Sequence, residues 1–194
     1  MQQQVSQYVD ENVTRQKFQQ ELDGFKKQKT HYRSMGVFLL DEEYPNAYFG
    51  FAAIRLDPTP FAFVVKINFT NYDIEPLSVK FIHPVTFQPL NEDQVPTKFP
   101  RRIDEPPGFM ELLQADRDKV PFLCFAGVRE YHDHTFHTGD SWFLHRKKGG
   151  EGSLCFILDN LQLYGASSIA AYHYPINLAV PNMKLISGQA LISK

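Results

Sequence analysis

Phe61 to Thr70 constrains this chain most. Phe61, Phe63, Val65, Ile67 and Phe69 alternate with positions that include Lys66, Asn68 and Thr70. A period of two puts the apolar set on one face of a strand and the polar set on the other. Such a strand packs one face on a core and belongs to an antiparallel sheet. Its neighbours read the same way. Gly36 to Leu40, Tyr48 to Leu56 and Leu77 to Ile82 are short apolar or alternating runs. They are separated by Asp41 to Asn46, by Asp57-Pro58-Thr59-Pro60 and by Asn71 to Pro76. Proline cannot donate to a ladder, so these punctuations end strands.

Before the strands, Val5 to Lys29 has helical periodicity. Val9, Val13, Leu22 and Phe25 fall near one stripe with Tyr8 and Phe18 beside it, and Gln, Glu and Lys fill the rest. Asp10 is placed to cap a later start. A helix followed by four strands with short connections predicts an α+β fold: an antiparallel four-stranded meander packed on a helix.

Gln88 to Lys119 breaks the pattern. It holds Pro89, Pro96, Pro100, Pro106 and Pro107. The expectation is a long Pro-rich insertion without regular strands, carrying one short helix at Phe109 to Leu113. Loops of this length are functional or mobile, or plain surface insertions. Beyond it, Ser153 is placed to cap a helix through Tyr164, with Leu154, Ile157, Leu158, Leu161 and Tyr164 as its buried stripe and Gly165 ending it. The tail from Ala166 reads as extended, with a strand at Met183 to Ile192.

Pro121 to Arg146 concentrates the reactive residues. It holds Cys124, one of two cysteines. It also holds His132, His134, His137 and His145, four of the seven histidines, and Trp142, the sole tryptophan. A cysteine nucleophile needs a base or positive electrostatics nearby. A zinc site needs three or four converging imidazole, thiolate or carboxylate ligands. His132 and His134 share a face if the segment is extended, and His137, His145, Asp133 or Asp140 could close on them. The alternatives are acid–base support, a metal site and a polar loop with locally bonded histidines. No standard zinc spacing is present. Cys124 itself reads either as a nucleophile or as a small buried hydrophobe. Arg129, Glu130 and Tyr131 read as solvated flank, Trp142 as packing, and His31, His83 and His173 as structural.

Composition narrows the classes. With 43% hydrophobic and 22% charged residues, 194 residues form one ordinary globular domain, 1–194, with the insertion at about 88–119. A net charge of -2 and no long basic run argue against nucleic-acid binding. No apolar stretch is long enough to span a bilayer. Met1-Gln2-Gln3-Gln4 lacks the basic start and apolar core of a signal peptide, so the expectation is cytoplasmic. Two cysteines are too few for a disulfide framework.

The order of these pieces resembles the ubiquitin-conjugating enzyme family, in its divergent bacterial form, over roughly Val9 to Tyr164. Phe63 to Phe81 is similar to that family's third strand, tyrosine-containing turn and fourth strand. Tyr72 and Pro76 match the turn, and Asp73 stands where proline is usual. Phe122-Leu123-Cys124-Phe125 looks like the segment around the active-site cysteine, Trp142 like the tryptophan after it, and the Ser153 helix like the helix that follows. Cys155 then falls inside that helix. The family's His-Pro-Asn triplet is not matched: His83-Pro84-Val85 lies far upstream and lacks the asparagine. The resemblance implies a thioester-forming transferase that needs no cofactor. Cys124 would accept a ubiquitin-like modifier protein from an activating enzyme and pass it to a protein target. His132, His134 and His137 are the expected helpers, with Asp140 orienting one of them. The alternatives are a metal-binding protein using His132, His134, His137 and His145, and a non-catalytic scaffold of the same fold.

Overall fold

The computed structural model describes residues 6–137, 139–146 and 150–172. The fold is mixed α+β. Helix α1 (Glu11–Lys27) begins where the Asp10 side chain accepts from the amides of Asn12 and Val13. Its buried stripe is Thr14, Phe18, Leu22 and Phe25. Val13 and Tyr8, expected on or beside that stripe, are exposed. The stripe starts at Thr14 because its hydroxyl lies 2.5 Å from the Tyr44 hydroxyl, so a small polar residue serves at this contact. A short helix α2 (Lys29–Ser34) follows and buries Tyr32 against Phe25.

Strands β1 (Val37–Glu43), β2 (Asn46–Ala52), β3 (Phe61–Asn68) and β4 (Ser78–Ile82) form an antiparallel sheet in the order β1-β2-β3-β4. The meander expected from the alternation is present. β1 runs through the acidic Asp41 to Glu43, which were expected to be turn. It is an edge strand, where charges are tolerated and discourage further pairing. Phe63, Val65, Ile67 and Phe69 are buried as the alternation requires, but Phe61 is about half exposed. The β2–β3 register shifts between Phe51 and Ala52. One extra residue reverses the facing beyond it. The Phe61 ring therefore lies over Gly50, where a Cβ would meet its Cζ at 2.3 Å.

The core is aromatic. Phe18, Phe25, Phe49, Phe51, Phe63, Phe69, Phe81 and Phe99 sit in one cluster with Leu22, Ile67 and Leu77. Fully burying such a side chain contributes about 2 kcal/mol.

The Pro-rich insertion is more ordered than its prolines suggest. Strands β5 (Pro100–Asp104) and β6 (Pro107–Glu111) form a two-stranded hairpin, and no helix occupies Phe109 to Leu113. Pro100 and Pro107 each open their strand, where proline is tolerated. Phe99, Leu112 and Leu113 tie the hairpin's base to the core while Phe109 stays exposed. Strand β7 (Leu113–Ala115) then pairs with β8 (Pro121–Leu123).

The histidine-rich segment contains two short helices, α3 (Arg129–Asp133) and α4 (Trp142–His145). Helix α5 (Leu154–Asn160) starts at Ser153, whose hydroxyl accepts from the Phe156 amide. It runs into a π-turn at Leu161–Gly165 and a 3-10 turn at Ala166–Ser168, so the tail does not begin as extended chain. Gly165 lies so close to Phe99 that a Cβ would meet the ring at 2.4 Å. The strand expected at Met183 to Ile192, and His173, lie outside the described residues. Among the described residues no helix is long and apolar enough to cross a membrane.

Candidate thiol site at Cys124

Cys124 is the first residue beyond β8. Its amide donates to the Leu112 carbonyl at 2.7 Å, which continues the β7–β8 ladder by one bond and fixes the thiol at the strand's end. Phe122 and Leu123 are buried behind it, and Cys124 is half-buried. Burial pushes its thiol pKa up, because a thiolate loses hydration there. Its Sγ lies 3.6 Å from His137 Nε2.

The segment carrying His137 is anchored by buried charge. Arg129 and Glu130 were expected to be solvated, and both are instead docked on the sheet. The Arg129 guanidinium is buried and donates to the carbonyls of Thr70 and Pro76. Its Nε also lies 3.2 Å from Glu75 Oε2. The Glu130 carboxylate accepts from the Ser78 hydroxyl and the Val79 amide. Burial raises its pKa, and those two bonds work against the rise. The Arg129 amide donates to the Leu77 carbonyl, which pins the start of α3 beside β4.

From α3 onward the histidines diverge. His132 has Nδ1 2.9 Å from the Asp140 carbonyl and Nε2 2.7 Å from the Ala126 carbonyl. His134 stacks on Phe122 with centroids 4.9 Å apart, and its buried Nδ1 has no hydrogen-bond partner among the described residues. His137 stacks on Tyr131 at 3.9 Å, which orients its ring toward Cys124. His145 sits between two carboxylates, with Nε2 2.6 Å from Asp140 Oδ1 and Nδ1 3.2 Å from Glu151 Oε2. The Asp140 hydrogen bond, above all, raises the His145 pKa. The His145 bond, followed by the Tyr131 hydroxyl, lowers that of Asp140. Among the described residues the Asp140 carboxylate thus bears on the His137 ring through Tyr131, whose hydroxyl donates to Asp140 Oδ2 at 2.8 Å, while the Asp140 amide donates to the His137 carbonyl at 2.9 Å. Among the described residues no three or more His, Cys, Asp or Glu side chains converge as a metal-ligand set.

Cys124 opens on a cleft of about 280 Å³ lined also by Arg101, Tyr131, His145, Glu151 and Asn160. Arg101 comes from the hairpin, and among the described residues its guanidinium has no hydrogen bond or ion pair. In the sequence Tyr131 stands only as flank, and Arg101, Glu151 and Asn160 carry no functional signal. Nothing in their spacing signals them, since they come from three separate elements and the turn before α5. Trp142 is buried as expected: its Nε1 donates to the Asp73 carbonyl at 3.1 Å, and its ring packs on Gly152. Cys155, on α5, faces Gln28 and Tyr32 and does not line the cleft.

A half-buried thiol beside an imidazole, on a cleft walled by mixed charges, defines a candidate cysteine–histidine site on an α+β scaffold. The profile of the Y4jH-like family matches residues 9–169, a span that takes in α1, the sheet and the whole Cys124–His145 segment. The chain belongs to that family. It is also 37% identical over 201 residues to a Sinorhizobium fredii protein called uncharacterized protein y4jH, an alignment that covers 95% of this chain and 97% of that relative.

Proposed function

We propose that this protein is an acyl carrier of the ubiquitin-conjugating type, working as a thioester-forming transferase. It takes a ubiquitin-like modifier protein from an activating enzyme onto Cys124 and passes it to a protein target. The observation that carries the reading is the 3.6 Å approach of His137 Nε2 to Sγ of Cys124, a residue that lines the cleft. Its setting supports it: a helix and a four-stranded meander precede the cysteine, and a buried tryptophan and a Ser-capped helix follow it.

In the loading step the Cys124 proton passes to His137 Nε2 and the sulfur attacks the thioester carbonyl. The carbonyl electron pair moves to oxygen. The tetrahedral adduct collapses, the activating enzyme's thiolate leaves, and the imidazolium returns a proton to it. A thiol of raised pKa suits this step, since it stays protonated until the base acts and its thiolate is the stronger nucleophile. Tyr131 and Asp140 serve by positioning His137. His134 helps by stacking behind Phe122, and His132 by holding the loop after Cys124.

Incubation with activating enzyme, modifier and ATP is expected to give a thiol-sensitive adduct that Cys124→Ala cannot form and Cys155→Ala still forms. Charging that survives Cys124→Ala, or is lost only with Cys155→Ala, would sink the assignment. A scaffold of the same fold would instead give a stable complex with the modifier or activating enzyme and no adduct.

A further inference from the structure

Acyl transfer at Cys124 passes through an oxyanion, which needs hydrogen-bond donors beside the sulfur. Donors that face developing charge without reorganising contribute most to such steps. The four residues after Cys124 are informative. The Cys124 amide is used by the Leu112 carbonyl, the Phe125 amide by Leu123 and the Val128 amide by Phe125. Among the described residues the amides of Ala126 and Gly127 donate to nothing. Both residues line the cleft with Cys124. Two consecutive unpaired N–H groups, two and three residues past the nucleophile, are donors available to an anion held beside it.

That loop is held on both sides. His132 Nε2 lies 2.7 Å from the Ala126 carbonyl oxygen, and its Nδ1 lies 2.9 Å from the Asp140 carbonyl oxygen. Gly127 is pressed against Gly152, where a Cβ would come within 2.8 Å of the Gly152 nitrogen. Gly152 is in turn packed on the Trp142 ring. With each ring nitrogen engaged by a carbonyl of this loop or its neighbour, His132 is turned away from Cys124 chemistry and acts as a brace.

We propose that the main-chain N–H groups of Ala126 and Gly127 form the oxyanion site for acyl transfer at Cys124, and that His132 is the residue that positions them. This rests on the acyl-carrier reading of Cys124. Sulfur adds to the acyl carbon, the proton goes to His137, and the negative oxygen is held by the two amides until the leaving group departs and takes that proton.

The test compares two reactions of Cys124 on the full chain, with Cys124→Ala as blank. Acylation by p-nitrophenyl acetate passes through an oxyanion and releases nitrophenolate in a burst. Alkylation by iodoacetamide displaces iodide and forms no oxyanion. Ala126 or Gly127 is replaced by the α-hydroxy acid with the same side chain, which turns one amide into an ester and removes one N–H. Either ester is expected to slow acylation by about 100-fold while alkylation stays within about twofold. His132→Ala is expected to give the same selective loss. An unchanged ratio of the two rates in both ester variants would overturn the assignment alone. So would Arg101→Ala proving to be the change that selectively slows acylation. A burst that persists in Cys124→Ala would overturn the acyl-carrier reading and this assignment with it.

Discussion

Cys124 and His137 are thirteen positions apart, and an aromatic face helps orient the imidazole toward the thiol. Tyr131 supplies that face and is itself held by Asp140. Two outcomes follow at this scale. The pH profile of Cys124 alkylation is expected to have its midpoint above the ordinary cysteine value of about 8.5, because burial disfavours the thiolate. A rate measurement by mass spectrometry from pH 6 to 11, on a scale fixed by about 8.5 for free thiol, checks it. His137→Ala is expected to slow thioester formation by about 100-fold, the usual scale for a lost general base. Arg129 offers a test of stability. Arg129→Met leaves the Thr70 and Pro76 carbonyls without their donor and Glu75 without its cation, and is expected to cost about 3 kcal/mol in urea unfolding. The role of Arg129 was not legible in the sequence, because the two carbonyls that satisfy it lie more than fifty residues upstream. Cys124 and the neighbouring histidines stood out by type alone, but which histidine reaches the thiol is set by short helices that local periodicity does not announce.

At the scale of elements, legibility tracked how much local chemistry dictates. The period-two runs of the meander and the caps at Asp10 and Ser153 were readable because each rests on a local rule. Ser153→Ala is therefore expected to cost about 1 kcal/mol, read from the shift in the urea midpoint. The β5–β6 hairpin was misread because proline density counts against strands. Only the positions of those prolines, at strand starts and the turn, make it permissible. The Asp140–His145–Glu151 link makes a pH-dependent contribution whose sign is fixed. His145 has a raised folded pKa, so its contribution is complete below about 6.5 and fades as pH rises through the folded value. Asp140 has a lowered one, so its contribution is complete above about 3.9 and fades as pH falls through its folded value. His145→Ala is accordingly expected to remove more stability at pH 5.5 than at pH 9, measured by urea unfolding at both. An equal loss at the two would contradict the charged link.

At the scale of the whole molecule, one aromatic core lies between the sheet, α1 and α5, and long-range bonds lock these layers in register. Glu21 on α1 accepts from the Tyr72 hydroxyl at 2.9 Å and from the Leu154 amide at 2.9 Å, which joins the first helix to the β3–β4 turn and to the start of α5. Asp73, in the same turn, receives Trp142 and Arg146 on its carbonyl. The segment after Cys124 is thereby clamped to the meander. Mass mapping of the modifier adduct tests the central claim most directly. After incubation with activating enzyme, modifier and ATP, the protein is digested under acidic conditions and the modified peptide is identified. The account predicts a thioester on the peptide containing Cys124, removed by added thiol and absent in Cys124→Ala. An adduct mapped to Cys155 or to a lysine, with Cys124 unmodified, would contradict it.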